Sequence, residues 1–317
     1  MKSDRTKPAG YATKPAGYAA VFTNKKLVLF LVLIPCLLFG SALPIVKSGY
    51  DIFMIDSTAD KMVFAGYRFG SAGLVILAFA AFVQHKNIFK LDRGDILRVL
   101  LLGLIYTTLH YGCFYLGVAN TTGVKGSIIN ATNIFMGVII SHFIYKNDRL
   151  NTRTIIGCLI GIIGVFAVNF GGELGGFRLN GEGLLLCAMF FAASGSIYGK
   201  NVSVTLDSTI MTGWQLCAGG FLLWLIGKLA HGKLPHVTPE GLGLLAYLIA
   251  LSSVAISLNA VLLKYNPVSR IMVFSFTIPV FGVFFSGIIL GENIFLLKYF
   301  VALVFVCVGI WLVNSRK

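Results

Sequence analysis

Ten stretches of the chain stay apolar over about the 20 residues that a helix needs to cross a bilayer. They are Leu27–Val46, Met62–Val83, Ile96–Val118, Thr122–Tyr145, Thr154–Phe170, Gly183–Lys200, Thr209–Ala230, Gly241–Leu263, Val268–Leu290 and Leu296–Val313. The polar intervals between them are short, so no sizeable soluble domain is inserted and the chain forms one all-α membrane unit. Residues 1–26 are polar and basic and contain a tandem repeat, Lys7-Pro-Ala-Gly-Tyr-Ala-Thr13 followed by Lys14-Pro-Ala-Gly-Tyr-Ala-Ala20. Pro and Gly at this density predict a flexible tail. A basic stretch before an apolar run is also the pattern of a signal peptide. Leu27–Val46 is long enough to span, however, and nine more runs follow, which favours an uncleaved first helix.

Composition sharpens this picture. Hydrophobic residues make up 57% and charged residues 12%, with a mean hydropathy of +0.85, where a soluble domain carries about 25% charged residues. A soluble enzyme, a disordered chain and a disulfide scaffold are excluded. The net charge of +14 is explained by basic residues gathered in cytoplasmic loops and not by a nucleic-acid partner. With the N-terminus inside, 18 of the 26 Lys and Arg fall on the cytoplasmic side and seven on the other, with Arg68 inside the second span. This predicts a multi-pass protein of the plasma or inner membrane with both termini cytoplasmic. Lys47, Lys125, Lys200 and Lys264 flank spans and read as interfacial anchors. The six cysteines lie in six different apolar runs without C-x-x-C spacing, so they read as small buried hydrophobes and signal no metal or redox cofactor.

The chain also repeats. An offset of 145 sets Gly137-Val138 over Gly282-Val283, Ser141 over Ser286, Gly164 over Gly309 and Val168-Asn169 over Val313-Asn314. An offset of 147 sets Tyr67-Arg68 over Trp214-Gln215 and Gly73 over Gly220; one near 153 sets Ser41 over Ser194 and Lys47 over Lys200. The expectation is five helices twice, 27–170 and 181–314, with short cytoplasmic tails at 1–26 and 315–317. Five is odd, so the second copy enters the membrane from the opposite side. Inverted repeats of this kind mark secondary transporters, with the binding site near the midplane between the halves.

Phe39-Gly-Ser-Ala-Leu-Pro-Ile-Val-Lys47 resembles the W-G-S-x-F-x-x-x-K run in the first helix of EamA transporters, of the drug/metabolite transporter (DMT) superfamily. Tyr67-Arg-Phe-Gly-Ser-Ala-Gly73 is similar to that family's helix 2 start, and Ile278-Pro-Val-Phe281 with Leu290-Gly-Glu292 to its signature across helices 9 and 10. The resemblance covers Leu27–Asn314. It departs at Phe39, at Ile134 in the place of Pro279, and at Asn147-Asp148 in the place of Gly291-Glu292. It implies a carrier of small metabolites, often an exporter of amino acids, with a cavity lined mainly by helices 1, 3, 4, 6, 8 and 9.

Polar groups in hydrocarbon must find partners or line a wet cavity. On helix 3, helical spacing places Gly103, Thr107, His110, Phe114 and Gly117 on one stripe, whose repeat partner on helix 8 is Ser252, Ala255, Asn259 and Leu262. Helix 4 presents Asn130, Asn133 and Gly137, and helix 9 presents Ser275, Pro279, Gly282 and Ser286. Pro279 would free a mid-helix carbonyl for a ligand or a kink. Tyr198 and Ser194 on helix 6 are weaker candidates. The substrate-binding candidates are thus Thr107, His110, Asn130, Asn133, Tyr198, Asn259 and Ser275. Structural or gating roles fall to Arg68, Pro279 and Gln215. Arg68 lies towards a span end and reads as a latch to Asp60 or Asp56, or as a contact for an anionic solute. All 12 carboxylates sit in tails, loops or helix ends. That pattern favours a neutral or zwitterionic solute, such as an amino acid, exported or exchanged by alternating access. A larger metabolite, such as a nucleoside or an S-adenosylmethionine-like compound, is the alternative. An intramembrane enzyme lacks H-E-x-x-H, G-x-S-x-G and any acidic metal cluster, and a channel lacks a filter loop. The partners are then a small-molecule substrate and the lipid bilayer, and a monomer is compatible with this reading.

Overall fold

A computed structural model describes residues 21–22, 24–144, 152–167, 177–266, 271 and 273–314. The tail repeat, Asn147-Asp148, the side chain of Lys264 and residues 315–317 lie outside the described residues. Every element among the described residues is helical. Seven helices are long and apolar enough to cross a membrane and three more are shorter. In chain order they are α1 (Lys25–Ile52), α2 (Thr58–Val83), α3 (Arg93–Ala119), α4 (Gly123–Ile144), α5 (Thr152–Ala167), α6 (Leu179–Val202), α7 (Ser208–Leu229), α8 (Pro239–Tyr265), α9 (Thr277–Leu290) and α10 (Leu297–Asn314).

Polar caps set several of the starts. Asn24, Ser57, Asp92, Thr122, Asp207 and Thr238 each accept from a backbone N–H of the first turn, satisfying donors that would otherwise be orphaned. The end of α1 is set by packing. The helix runs past Val46 to Ile52 because Tyr50 is buried, donating from its hydroxyl to Tyr115 O at 2.6 Å.

Two breaks in regular α geometry change what the sequence pattern implies. Gly103–Leu109 of α3 forms a π-helical stretch, which puts an extra residue into each turn and rotates everything beyond it. The expected single stripe is therefore split. A Cβ on Gly103 would touch Gln215 O on α7, and Thr107 packs on Gly219 of α7, whereas Gly117 faces Leu185 and Gly181 on α6. On the other side of the molecule, the continuous run Val268–Leu290 is not one helix. A 3-10 turn at Val273–Phe276 precedes α9, which begins at Thr277; 267–270 and 272 lie outside the described residues. Pro279 consequently sits in the first turn of α9, where its missing N–H costs little, rather than kinking a helix at mid-length.

Small residues let the helices approach closely, as is usual where lipid offers no hydrophobic drive to associate. α2 and α7 run antiparallel, with Gly66 on Trp224, Gly73 on Cys217, Gly70 on Gly220 and Leu77 on Gly213. α5 and α10 do the same through Gly157 on Gly309 and Gly164 on Ala302. α1 lies parallel to α9, Cys36 meeting Phe274 and Gly40 meeting Phe281; α4 lies parallel to α6, Gly126 meeting Leu185 and Gly137 meeting Ala193. α1 is antiparallel to α8 through Ser41 on Tyr247 and Gly49 on Leu244, and α6 to α3 through Leu185 on Gly117 and Gly195 on Tyr106.

At one end of the bundle Lys86 Nζ donates to Asp207 Oδ2 at 2.7 Å, tying the α2–α3 loop to the start of α7. Burial pushes the Asp207 carboxyl up, but the Lys86 bond and the N–H groups of Ile210 and Thr209 outweigh it, and the group ends below its ordinary value of 3.8. A lowered folded-state value means stability that is present above the ordinary value and lost as pH falls through the lowered one. Wild type should therefore be more heat-stable than Asp207→Asn at pH 7, with the difference shrinking to nothing as a detergent-purified sample is acidified below about pH 4. A difference independent of pH would contradict this.

Candidate functional site

Two charged residues, Arg68 and Glu182, are almost completely buried, and Arg68 is the one within a spanning helix body. It lies in the body of α2, 2% exposed, and not near a span end. Its Nε donates to Ser252 Oγ on α8 at 2.9 Å and its Nη1 to Tyr115 OH on α3 at 3.1 Å. Neither Asp60 nor Asp56 pairs with it. Asp60 instead accepts from Lys233 N at 2.7 Å, and the Lys61 ammonium donates to Asp56 O. The reason is helical geometry: Arg68 follows Asp60 by two turns, about 12 Å along the axis. Among the described residues no carboxylate forms an ion pair with Arg68. A cation at the centre of a membrane helix costs on the order of 3 kcal/mol on the insertion scale.

An aromatic nest surrounds it. The guanidinium lies 4.7 Å from the Phe69 ring, which stacks on Tyr111 at 3.7 Å. Tyr111 in turn lies 4.1 Å from the His110 ring, and His110 Nδ1 is 3.3 Å from Tyr106 O. His110 is thus buried but drawn towards Arg68 through Tyr111, not aligned with Thr107. Thr107 is fully buried, and its hydroxyl and Gln215 Oε1 have no hydrogen-bond partner among the described residues.

Asn130, Asn133 and Ser275 lie beside helix breaks, whereas Asn259 lies within the unbroken α8. α4 is interrupted at Ala131, between Gly123–Asn130 and Thr132–Ile144, and Thr132 Oγ1 donates to Ile129 O at 2.7 Å. The junction of the 3-10 turn with α9 matches it 145 residues on: Thr277 Oγ1 donates to Phe274 O at 2.7 Å. Asn130 and Ser275 occupy equivalent places beside these breaks. α4 and α9 are antiparallel, with Gly123 on Ser286 and Ser127 on Gly282, a register that puts Thr132 level with Thr277. Asn130, Asn133 and Asn259 are half-buried and make no side-chain hydrogen bond to another described residue. Tyr198 stands apart from them, half-buried in a cluster with Leu102, Tyr106 and Trp214. Among the described residues no group of three or more His, Cys, Asp or Glu is arranged to hold a metal.

One polar centre is not foreshadowed by any motif. Glu182, in the π turn that opens α6, accepts from Thr121 Oγ1 and Arg178 N, both at 2.9 Å, with Lys125 Nζ at 3.7 Å. Lys125 is therefore half of a buried ion pair and not an interfacial anchor. Lys47 also turns inward, donating to Thr121 O. Glu292 caps α4, accepting from Gly123 N at 2.6 Å and Val124 N at 2.8 Å. A cavity of about 250 Å³ opens here, lined by Asn120, Thr121, Thr122, Lys125, Arg178 and Glu182. Four chain segments contribute to this cluster, around Lys47, Asn120–Lys125, Arg178–Glu182 and Glu292, and only a signal linking distant positions could have grouped them.

A polytopic helical membrane protein with polar groups at interrupted helices is an architecture that transporters use. The sequence model of the EamA-like transporter family matches residues 26–170 and 179–315. The chain belongs to this family. It is 26% identical over 263 residues to the uncharacterized transporter YetK of Bacillus subtilis, covering 80% of this chain and 78% of that one. It is 26% identical to the uncharacterized inner membrane transporter YedA of Escherichia coli K12, covering 81% of each chain, and 25% identical over 237 residues to the uncharacterized transporter sll0355 of Synechocystis, covering 69% of this chain and 71% of that one. A solved crystal structure of a protein matches 89% of this chain and 95% of its own with a TM-score of 0.68 at 16% identity, a likeness of fold. The protein is a multi-pass membrane transporter, with the bilayer and a small-molecule substrate as its partners.

Proposed function

We propose that residues 27–170 and 181–314 form two inverted five-helix repeats that carry a small organic solute across the cell membrane by alternating access, with both termini cytoplasmic. The solute is neutral or zwitterionic, an amino acid or a relative of one, exported or exchanged. The observation that carries this reading is the pair of matched breaks in α4 and α9, with Thr132 and Thr277 making the same bond. Irregular backbone at membrane depth survives where it is enclosed by protein or lines a cavity, and interrupted helices are where such carriers bind substrate. The packing pattern adds support: exchanging each helix with the one five places on turns α1/α8 into α6/α3, α1/α9 into α6/α4, and returns α2/α7 and α5/α10 to themselves. His110, Asn130, Asn133, Asn259 and Ser275 make up the site, Tyr198 lies on the path at one end, and Thr107 and Gln215 stand behind the site between α3 and α7.

Purified protein in liposomes, loaded with unlabelled amino acids and given a labelled mixture outside, should accumulate label by counterflow with no chemical change to it. His110→Ala should lower that flux at least tenfold while its thermal unfolding stays near wild type. Absence of counterflow in wild type would overturn the function, and an unchanged flux in His110→Ala would remove helix α3 from the site.

A further inference from the structure

Arg68 presents a physical problem that the other described residues do not solve. Its partners, Ser252 Oγ and Tyr115 OH, are neutral, and the aromatic rings around it are neutral too. Two of its five N–H donors are accounted for by those bonds, and a guanidinium offers the remainder in a planar fork suited to a carboxylate. Charges inside membrane proteins ordinarily pair with one another or mark a substrate path.

The fold itself does not demand the charge. The offset of 147 carries Arg68 to Gln215, and the offset of 145 carries its partner Ser252 back to Thr107. The neighbouring pair makes the same correspondence. Thr108 Oγ1 donates to Gly219 O at 3.1 Å and Ser253 Oγ donates to Ala72 O at 3.3 Å. The second copy of this junction thus packs around a neutral amide, with Gln215 as buried as Arg68. The equivalent place between α3 and α7 is filled by Gln215 and Thr107 without a charge, so the packing of this junction does not depend on one. The positive charge is an addition on one side only.

We infer that Arg68 binds the carboxylate of the transported solute, so that the carried class is a carboxylate-bearing zwitterion such as an amino acid and not an uncharged or cationic compound. This rests on the carrier function proposed above and deepens it. The nest of Phe69, Tyr111 and Tyr115 excludes water from the ion pair and leaves the guanidinium geometrically fixed. The solute supplies the missing counter-charge, and the pair forms when the site closes around it.

The test uses the full chain and three forms: wild type, Arg68→Gln, which installs the residue of the other half, and Arg68→Lys. Each is titrated with L-amino acids and with the corresponding α-amides, which match in size but lack the carboxylate, and thermal unfolding is followed. Wild type should be stabilised by at least one acid and at least tenfold more weakly by its amide. Arg68→Gln should unfold near the wild-type temperature without solute and respond to acid and amide alike, with Arg68→Lys between the two. Equal responses of wild type to acid and amide, or an undiminished response in Arg68→Gln, would overturn the inference. If Arg68→Gln does not fold, the acid-against-amide contrast in wild type and Arg68→Lys decides by the same criteria. Counterflow separates this from the function itself: a failed carrier function abolishes flux in wild type, whereas a failed carboxylate assignment leaves wild-type flux intact and Arg68→Gln equal to it.

Discussion

Gly220→Ala is expected to be the most damaging single methyl group in the protein. A Cβ at Gly220 would overlap the amide nitrogen of Gly70 and lie 2.9 Å from the Phe69 carbonyl carbon, so backbone rather than a movable side chain blocks it. Overpacking of a well-filled core costs about 1–3 kcal/mol when side chains can adjust, and two helix backbones in contact adjust less. α2 and α7 form the most extensive helix pair, so the loss should be global. Gly73, the counterpart of Gly220, has the same problem, with its Cβ 2.6 Å from Cys217 N, whereas a Cβ at Gly70 meets nothing within 4 Å. Thermal unfolding in detergent should therefore show Gly220→Ala and Gly73→Ala strongly destabilised and Gly70→Ala close to wild type. A Gly220→Ala protein as stable as Gly70→Ala would mean that the close crossing of α2 and α7 is not present.

Glu182→Gln should be the most damaging change of charge. The carboxylate is 3% exposed and its partner Lys125 is 8% exposed. Gln keeps the shape but has a single acceptor oxygen, so it retains one of the bonds from Thr121 Oγ1 and Arg178 N, which Glu182 accepts on separate oxygens, and it leaves the Lys125 ammonium buried without a counter-charge. Breaking one side of a buried pair costs about 3–5 kcal/mol; the adjoining cavity admits water, so a loss of about 3 kcal/mol is expected. Lys125→Met alone should cost less, since the carboxylate retains two hydrogen bonds. The double variant Lys125→Met/Glu182→Gln should lose less than the two singles together, with a coupling on the order of 1–3 kcal/mol. Additive losses from detergent unfolding curves would show that the two groups do not interact.

How much of this was legible in the sequence depends on the kind of interaction. Hydropathy and length are set by the bilayer itself, so membrane insertion, the helical class and the transporter family could be read directly. Position along a helix is less forgiving. Arg68 looks close to Asp60 and Asp56 in the chain, yet two helical turns and a burial gradient separate them, and its partners come from α3 and α8. The stripe on α3 assumed a constant turn, and the π stretch at Gly103–Leu109, which no residue type announces, redirects Thr107 to α7 and leaves His110 among tyrosines. Pro279 suggested a kink because Val268–Leu290 is unbroken in hydropathy; the 3-10 turn shows it opening a helix instead. Lys47, Lys125, Glu182 and Glu292 were each readable as helix-end residues, but which ends meet is decided by packing. The offsets of 145 and 147 are different in kind. They set Arg68 over Gln215 and Asn130 over Ser275 from residue identities alone, and they also relate the contacts of Gly66 and Gly73 to those of Gly213 and Gly220.

The measurement closest to the central claim asks on which side of the membrane the two equivalent loops lie. Asn87, between α2 and α3, and His236, between α7 and α8, are both exposed and lie in the loops that follow helices five places apart. Single cysteines at these positions, in a background without the native six, are offered a membrane-impermeant maleimide in intact cells and again after permeabilisation. Oppositely oriented halves predict labelling of His236→Cys before permeabilisation and of Asn87→Cys only after it. Labelling of both from outside, or of neither, would contradict the account.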